Sequence, residues 1–286
     1  MASTKEQQRV ILVTGANKGI GFHIVKRLLE QSSSEDTVIL LGSRDFERGR
    51  NAIEQLGAPS NVHLLQLDVS SVDSINQIVN EIKEKYGGHL DIIINNAGIL
   101  TNEINVDVAR KSFAIHYYGI KLLNEKLFPI IRENGRIINV SSQVGAVALY
   151  ESSNELQDKY TSPSLTIEEL DQLVEDFISA IETNTLEEIG YHNKTFSVIY
   201  GVSKAALNAL TRIEARKWGS LKNLLVISVT PGFCATDMTE HASNARSPEL
   251  GADSILYAVN TPPHELHNGG FYRDGKQLLL ISPPTT

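Results

Sequence analysis

A doubly wound α/β fold on a largely parallel sheet is what this sequence predicts. Three observations predict it. Short, near-continuous apolar runs recur along the chain, longer stretches with helical apolar spacing separate them, and the first run leads into a glycine-rich turn. The runs cover residues 10–13, 38–41, 62–65, 92–94, 137–140 and 225–227. Unbroken apolarity suits strands buried on both faces, whereas alternation would mark a sheet with one wet face. Helices between such strands form βαβ units. A seventh strand is either Gly270-Phe271-Tyr272 or Gln277-Leu278-Leu279-Leu280, and Asp274-Gly275 is suited to turn one into the other.

A single domain over 1–286 is expected, because folds of this class reach this length undivided. One stretch, roughly 150–195, breaks the rhythm and is rich in Glu, Asp, Ser and Thr. Within it Thr166-Ile167-Glu168-Glu169 has the form of a capping box. Ile167, Leu170, Leu173, Val174, Phe177, Ile178 and Ile181 then recur at helical spacing. The stretch therefore reads as an ordered helical insertion rather than a disordered acidic loop.

The formal net charge of −8 argues against nucleic acid or an anionic membrane as the main partner. No run of about 18 apolar residues is present, so no membrane span is expected. The polar start Met1-Ala2-Ser3-Thr4-Lys5-Glu6-Gln7-Gln8 has no apolar signal segment. The one cysteine, Cys234, excludes an internal disulfide and fits a reducing compartment, the cytoplasm. No metal is expected, and the ending Ser282-Pro283-Pro284-Thr285-Thr286 reads as a frayed tail.

The glycine turn is Thr14-Gly15-Ala16-Asn17-Lys18-Gly19-Ile20-Gly21. Gly15 permits a sharp turn, Gly19 lets backbone approach a diphosphate, and Gly21 lets the next helix pack on the strand. That helix N-terminus offers free amides and a partial positive charge to the same diphosphate. Asn17, Lys18 and Ile20 complete the binding loop. Its spacing, Thr-Gly-three residues-Gly-X-Gly, departs from the Gly-X-Gly-X-X-Gly of other dinucleotide folds. The second strand ends Gly42-Ser43-Arg44-Asp45, with Arg44 where an acid would read the ribose hydroxyls of NAD. A guanidinium fork there pairs with a 2′-phosphate, Lys18 adds a second cation and Arg48 lies one helical turn on. NADPH is the expected cofactor.

Tyr200 and Lys204, in Tyr200-Gly201-Val202-Ser203-Lys204, share a helix face four residues apart. A nearby ammonium favours the phenolate and is expected to bring Tyr200 down toward working pH, so that the phenol protonates a carbonyl as hydride arrives. Lys204 can also anchor ribose hydroxyls. The fifth strand ends at Ser141-Ser142, on the edge where doubly wound folds bind ligands. A hydroxyl there can steady a developing alkoxide.

These residues, with Asn95-Asn96-Ala97-Gly98 after the fourth strand, resemble the short-chain dehydrogenase/reductase family over nearly the whole chain. The resemblance implies a Rossmann-type sheet, and selects Ser142 over Ser141 as the catalytic serine beside Tyr200 and Lys204. It implies that Asp68 and Val69 contact adenine and that Asn96 lies beside the cofactor. In Pro231-Gly232-Phe233-Cys234-Ala235-Thr236 it implies that backbone near Cys234 and the Thr236 hydroxyl hold the nicotinamide carboxamide. The family usually has an asparagine where this chain has His116. That asparagine helps hold a water on the lysine, so His116 is a candidate to hold the water or relay protons itself.

Ser142 and Tyr200 are 58 positions apart, far more than is ordinary in the family. This spacing resembles the monomeric carbonyl reductase branch, which includes plant terpenoid and alkaloid ketone reductases. The resemblance implies a monomer acting on small-molecule carbonyls, namely hydrophobic aldehydes, ketones or quinones, in a cleft lined by Gln143, Val144 and Phe233. Two alternatives stand beside it: a reductase dedicated to one terpenoid, alkaloid or steroid ketone, and an NADPH-sensing binding protein with weak catalysis. A sugar-nucleotide epimerase is disfavoured by the glycine spacing and the short C-terminal region.

Overall fold

The computed structural model describes residues 8–192 and 197–284. The N-terminal residues before Gln8, the end of the predicted insertion at 193–195 and the last two residues of the tail lie outside that set.

Among the described residues, eight strands form one sheet in the order β3-β2-β1-β4-β5-β6-β7-β8. The strands are β1 (Arg9–Val13), β2 (Thr37–Ser43), β3 (Val62–Gln66), β4 (Leu90–Asn95), β5 (Ile131–Val140), β6 (Leu225–Val229), β7 (Phe271–Arg273) and β8 (Lys276–Gln277). All neighbouring pairs are parallel except β7 with β8. The two candidates for the last strand resolve as a short hairpin. Phe271–Arg273 runs parallel to β6, then Asp274 and Gly275 turn the chain at φ +48° and +78°. Left-handed backbone at both positions is what a tight hairpin turn requires. The leucine run after it lies beyond the strand, with Leu279 facing solvent.

The long helices are α1 (Gly19–Gln31), α2 (Phe46–Gln55), α3 (Val72–Lys85), α4 (Val106–Phe113), α5 (Gly119–Leu127), α6 (Gln143–Glu151), α7 (Asn154–Thr161), α8 (Ile167–Thr183), α9 (Val198–Lys222) and α10 (Pro248–Asn260). A five-residue π-helix, Ala114–Tyr118, joins α4 to α5. The strands bury both faces, as their unbroken apolarity requires. Ile11, Val13, Ile39 and Ile227 pack against α1 and α10 on one side. Val10, Leu12, Leu40 and Val226 pack against α3, α5 and the end of α9 on the other.

A third core is helical and belongs largely to the insertion. Leu170, Val174, Phe177 and Ile178 of α8 meet Phe113, Tyr117, Val202 and Leu210. The capping box at Thr166 and Glu169 is formed, and Asn184 ends α8 in the left-handed region. The polar side of α8 is also engaged. Asp171 accepts from the Tyr117 hydroxyl at 2.8 Å and from Lys121 at 2.6 Å, and Glu175 accepts from the Tyr118 hydroxyl at 2.6 Å. Arg212 of α9 donates to the carbonyls of Tyr160 and Thr161, fastening the end of α7.

Candidate active site

Strand order reverses between β1 and β4, so a crevice opens at the carboxyl edge above them, and the candidate residues gather along that edge. The glycine turn leaves β1 there. Gly15 takes φ +62°, and a Cβ on it would stand 2.8 Å from the Ala97 Cα. A Cβ on Gly21 would stand 2.5 Å from both the Asn96 Nδ2 and the Gly15 carbonyl. Asn96 closes this packing: its side-chain amide donates to the carbonyls of Thr14 and Gly15 at 2.9 and 3.1 Å. The Thr14 hydroxyl accepts from the Asn96 and Ala97 amides in return. Asn96 therefore shapes the loop, and its amide group is spent on backbone. Helix α1 begins at Gly19 with no side-chain cap and no acid in its first turn, which leaves its leading amides open to an anion. Gly19 faces Thr236 across the loop, its Cβ position 3.5 Å from the Thr236 Cγ2.

Arg44 is exposed at the end of β2. Asp45 beside it is occupied as the cap of α2, accepting from the Arg48 amide at 3.0 Å, and Arg48 pairs with the same carboxylate at 3.7 Å. The Asp45 carboxylate is thus turned into its own helix. Lys18 is held at 2.6 Å by Asp237, beyond the Pro-Gly loop. Asp68 accepts from the amide and hydroxyl of Ser70, and the Val69 side chain is buried in the core, so Val69 can meet a ligand only through its backbone. Cys234 is buried, its thiol donating to the Pro231 carbonyl at 3.4 Å, and burial holds that thiol above its ordinary pKa.

Ser142, Tyr200 and Lys204 come together from β5 and α9. Ser142 caps α6, its hydroxyl oxygen accepting from the Val144 amide at 3.2 Å. Ser142 also shares a side-chain hydrogen bond with Tyr200, which acts to lower the phenol's pKa. The N-terminal end of α6 adds its partial positive charge at the same point. Lys204 is buried, donates to the Val140 carbonyl at 2.9 Å, and has its ammonium 5.6 Å from the centre of the Tyr200 ring.

The ionisation of this pair departs from expectation. Burial pushes the Tyr200 phenol up to about 12, against the lowering effect of its Ser142 hydrogen bond. Burial also brings Lys204 down to about 7. The ammonium points to a carbonyl and lies against the ring instead of meeting the hydroxyl, so desolvation governs both groups.

His116 is fully buried in the π-helix. Its Nε2 accepts from the Ile99 amide at 3.0 Å, which leaves the proton on Nδ1. Nδ1 then donates to the Ser203 hydroxyl at 2.9 Å, and Ser203 donates to the Tyr200 carbonyl at 2.8 Å. Both ring nitrogens are occupied, so no nitrogen is left for a water on Lys204, and burial holds the imidazole neutral. The sequence did not single out Ser203, although it sits inside the Tyr-to-Lys motif. A serine three residues after an acceptor carbonyl is a back-bonding signal. Gln143 and Val144 sit beside Ser142, half-buried, and Phe233 is exposed at the rim.

The model of a family described as short chain dehydrogenase matches residues 9–154. Carbonyl reductase [NADPH] 1 of Sus scrofa is 35% identical over 285 residues, with 96% of each chain covered. This chain belongs to the short-chain dehydrogenase family. The human protein called carbonyl reductase [NADPH] 1 is 34% identical over 89% of this short-chain dehydrogenase and 91% of its own length. Two solved plant structures share the fold closely. Salutaridine reductase from Papaver somniferum has a TM-score of 0.81 at 30% identity, covering 93% of this chain and 99% of its own. Menthone neomenthol reductase from Mentha piperita has a TM-score of 0.76 at 29%, covering 92% and 98%.

Proposed function

We propose that this short-chain dehydrogenase is an NADPH-dependent carbonyl reductase acting on aldehydes, ketones or quinones. One observation carries the reading: Tyr200, hydrogen-bonded to Ser142 and backed by Lys204, stands at the same sheet edge as the uncapped start of α1. The relatives named carbonyl reductase [NADPH] support it at about 35% identity over most of the chain.

The residues present fit a phosphorylated dinucleotide. The open amides from Gly19 onward suit a diphosphate, Arg44 and Lys18 a 2′-phosphate, and Lys204 the ribose hydroxyls. NADPH, when bound, supplies the hydride. A carbonyl oxygen that enters between Ser142 and Tyr200 receives the serine hydrogen bond and the phenol proton. Tyr200 keeps that proton at neutral pH because its phenol lies near 12. Loss of charge on the substrate oxygen is thereby completed without a free acid in solution.

We infer a cytosolic monomer. Helix α8 covers the face made by Tyr117, Tyr118 and Lys121, which takes that face out of helix-to-helix packing with a second copy. A second reading, a reductase dedicated to one bulky plant-type ketone, is favoured by the two plant structures above. NADPH oxidation measured against a panel from menadione to cyclic terpenoid ketones, with Tyr200→Phe as control, tests both. Broad turnover supports the first reading and a single active ketone the second. Absence of turnover with every carbonyl, or full activity in Tyr200→Phe, overturns both.

A further inference from the structure

Two arginines at the carboxyl edge take no part in the reading above. Strand β7 runs parallel to β6, with Tyr272 opposite Val229, so Arg273 leaves the sheet beside the start of the Pro-Gly loop. Its Nη1 donates to the Gln143 Oε1 at 2.7 Å, across 130 positions of sequence. Gln143 directly follows the catalytic serine. The other side of the fork lies against the Pro-Gly loop, where a Cβ on Gly232 would stand 3.1 Å from the Arg273 Nη2. Arg273 thus bridges the two walls of the cleft, and 36% of its side chain stays accessible.

The charge here is not balanced. Asp274 is the acid of this cluster, and Arg246 already holds it with contacts of 3.0 and 2.8 Å. Arg273 reaches the same carboxylate only through Nε, at 3.4 Å. Two guanidiniums share one carboxylate, and the neighbouring Cys234 thiol is buried and neutral. The better-oriented edge of Arg273 faces a neutral amide oxygen. A carboxylate in that place makes a charge-assisted, bidentate contact that the amide cannot match.

Resting on the carbonyl reductase reading, we propose that Arg273 determines specificity by selecting substrates that carry a carboxylate near the reducible carbonyl. The anion displaces or joins the Gln143 side chain on the guanidinium while the carbonyl lies against Ser142 and Tyr200. In a protein of net charge −8, an unbalanced cation beside the reacting groups also draws an anionic substrate toward the cleft.

The test compares kcat/KM for 3- and 4-carboxybenzaldehyde with that for their neutral methyl esters, using NADPH. The wild-type enzyme is expected to prefer at least one acid over its ester by about tenfold, mainly through KM. Arg273→Gln is expected to bring that ratio to about one while the NADPH dissociation constant moves less than about twofold. Gln143→Ala, which releases the fork, is expected to keep or raise the ratio and stands in if Arg273→Gln does not fold. An acid-to-ester ratio of one or below in the wild type overturns the proposal, as does a ratio that survives Arg273→Gln. So does a weakening of NADPH binding in Arg273→Gln large enough to explain the loss. Turnover of the esters separates the two ideas: esters reduced without a preference for the acid leave the reductase reading standing and remove Arg273 from specificity, whereas inertness toward every aldehyde removes both.

Discussion

His116 and Ser203 are joined by a 2.9 Å hydrogen bond that links the π-helix to the second turn of α9. On its other nitrogen His116 holds the Ile99 amide, and its ring meets the Tyr200 ring edge-on at 5.6 Å. The imidazole bolts the loop after β4 to the start of α9, where Tyr200 lies. Ser197, the cap of α9, donates to the Thr101 carbonyl at 2.8 Å and fastens the same loop a second time.

A bolt and a relay differ in what they do to pH dependence. His116→Asn is too short to span both partners, so turnover is expected to fall about tenfold through misplacement of Tyr200. The shape of the pH–rate profile should stay as it is. A changed limb with little change in maximal rate, in steady-state kinetics from pH 5 to 9, would return His116 to proton transfer.

The same residue makes the fold acid-sensitive. Its folded pKa lies well below the ordinary value. A depressed pKa contributes stability that is present above the unfolded value, about 6.5, and lost as pH falls toward the folded one. Urea unfolding should show wild-type stability declining below about pH 6.5, by up to about 1.4 kcal/mol per pH unit, with the decline reduced in His116→Asn.

Glu214 predicts the opposite slope. It is buried in α9, accepts from the Asn124 side-chain amide at 2.9 Å, and burial raises its carboxyl well above the ordinary range. A raised pKa contributes stability that is present below the unfolded value and lost as pH rises toward the folded one. Glu214→Gln retains an acceptor oxygen for Asn124 without the charge. It is expected to be more stable than wild type at pH 8 by roughly 1–3 kcal/mol, and to match it near pH 4. Paired denaturant curves at the two pH values decide this.

Tyr200 and Lys204 are expected to set a kinetic profile. With Lys204 near 7 and Tyr200 near 12, reduction should lose kcat/KM for NADPH along an alkaline limb centred near pH 7, as the ammonium loses its charge. The phenol should add no limb below about pH 10. A single limb at a much higher pH would show that the lysine stays charged throughout the working range.

Cofactor choice is expected to rest on Arg44 more than on Lys18, since Lys18 is shared with Asp237 in an exposed pair. Arg44→Asp should raise KM for NADPH at least tenfold and change KM for NADH little or lower it. Asp237→Asn should tighten NADPH by less than about threefold, because an exposed ion pair is well screened. Initial rates with the two cofactors measure both.

The strands, the glycine turn, the insertion helix with its capping box and the Ser142, Tyr200 and Lys204 set were all legible in the sequence. Each announces itself within a short window: an apolar run, a spacing of glycines, a stripe at helical period, a motif. The hairpin of β7 and β8 was legible only as two alternatives, because a turn dipeptide does not say which flanking run pairs with the sheet.

Tertiary structure decided the rest. The sequence shows an ammonium four residues from a phenol, but whether that charge lowers the phenol depends on where it points and how much water remains, and here burial dominates. It shows a histidine in place of an asparagine, but only the fold brings Ile99 and Ser203 to its two nitrogens. Arg273 and Gln143 lie 130 positions apart with no motif between them, and meet because parallel strands deliver their ends to one edge of one sheet. Local pattern determines which elements form and what chemistry they carry. Protonation state, hydrogen-bond polarity and the charge of the cleft are properties of distance and desolvation, which exist only once the chain has closed on itself.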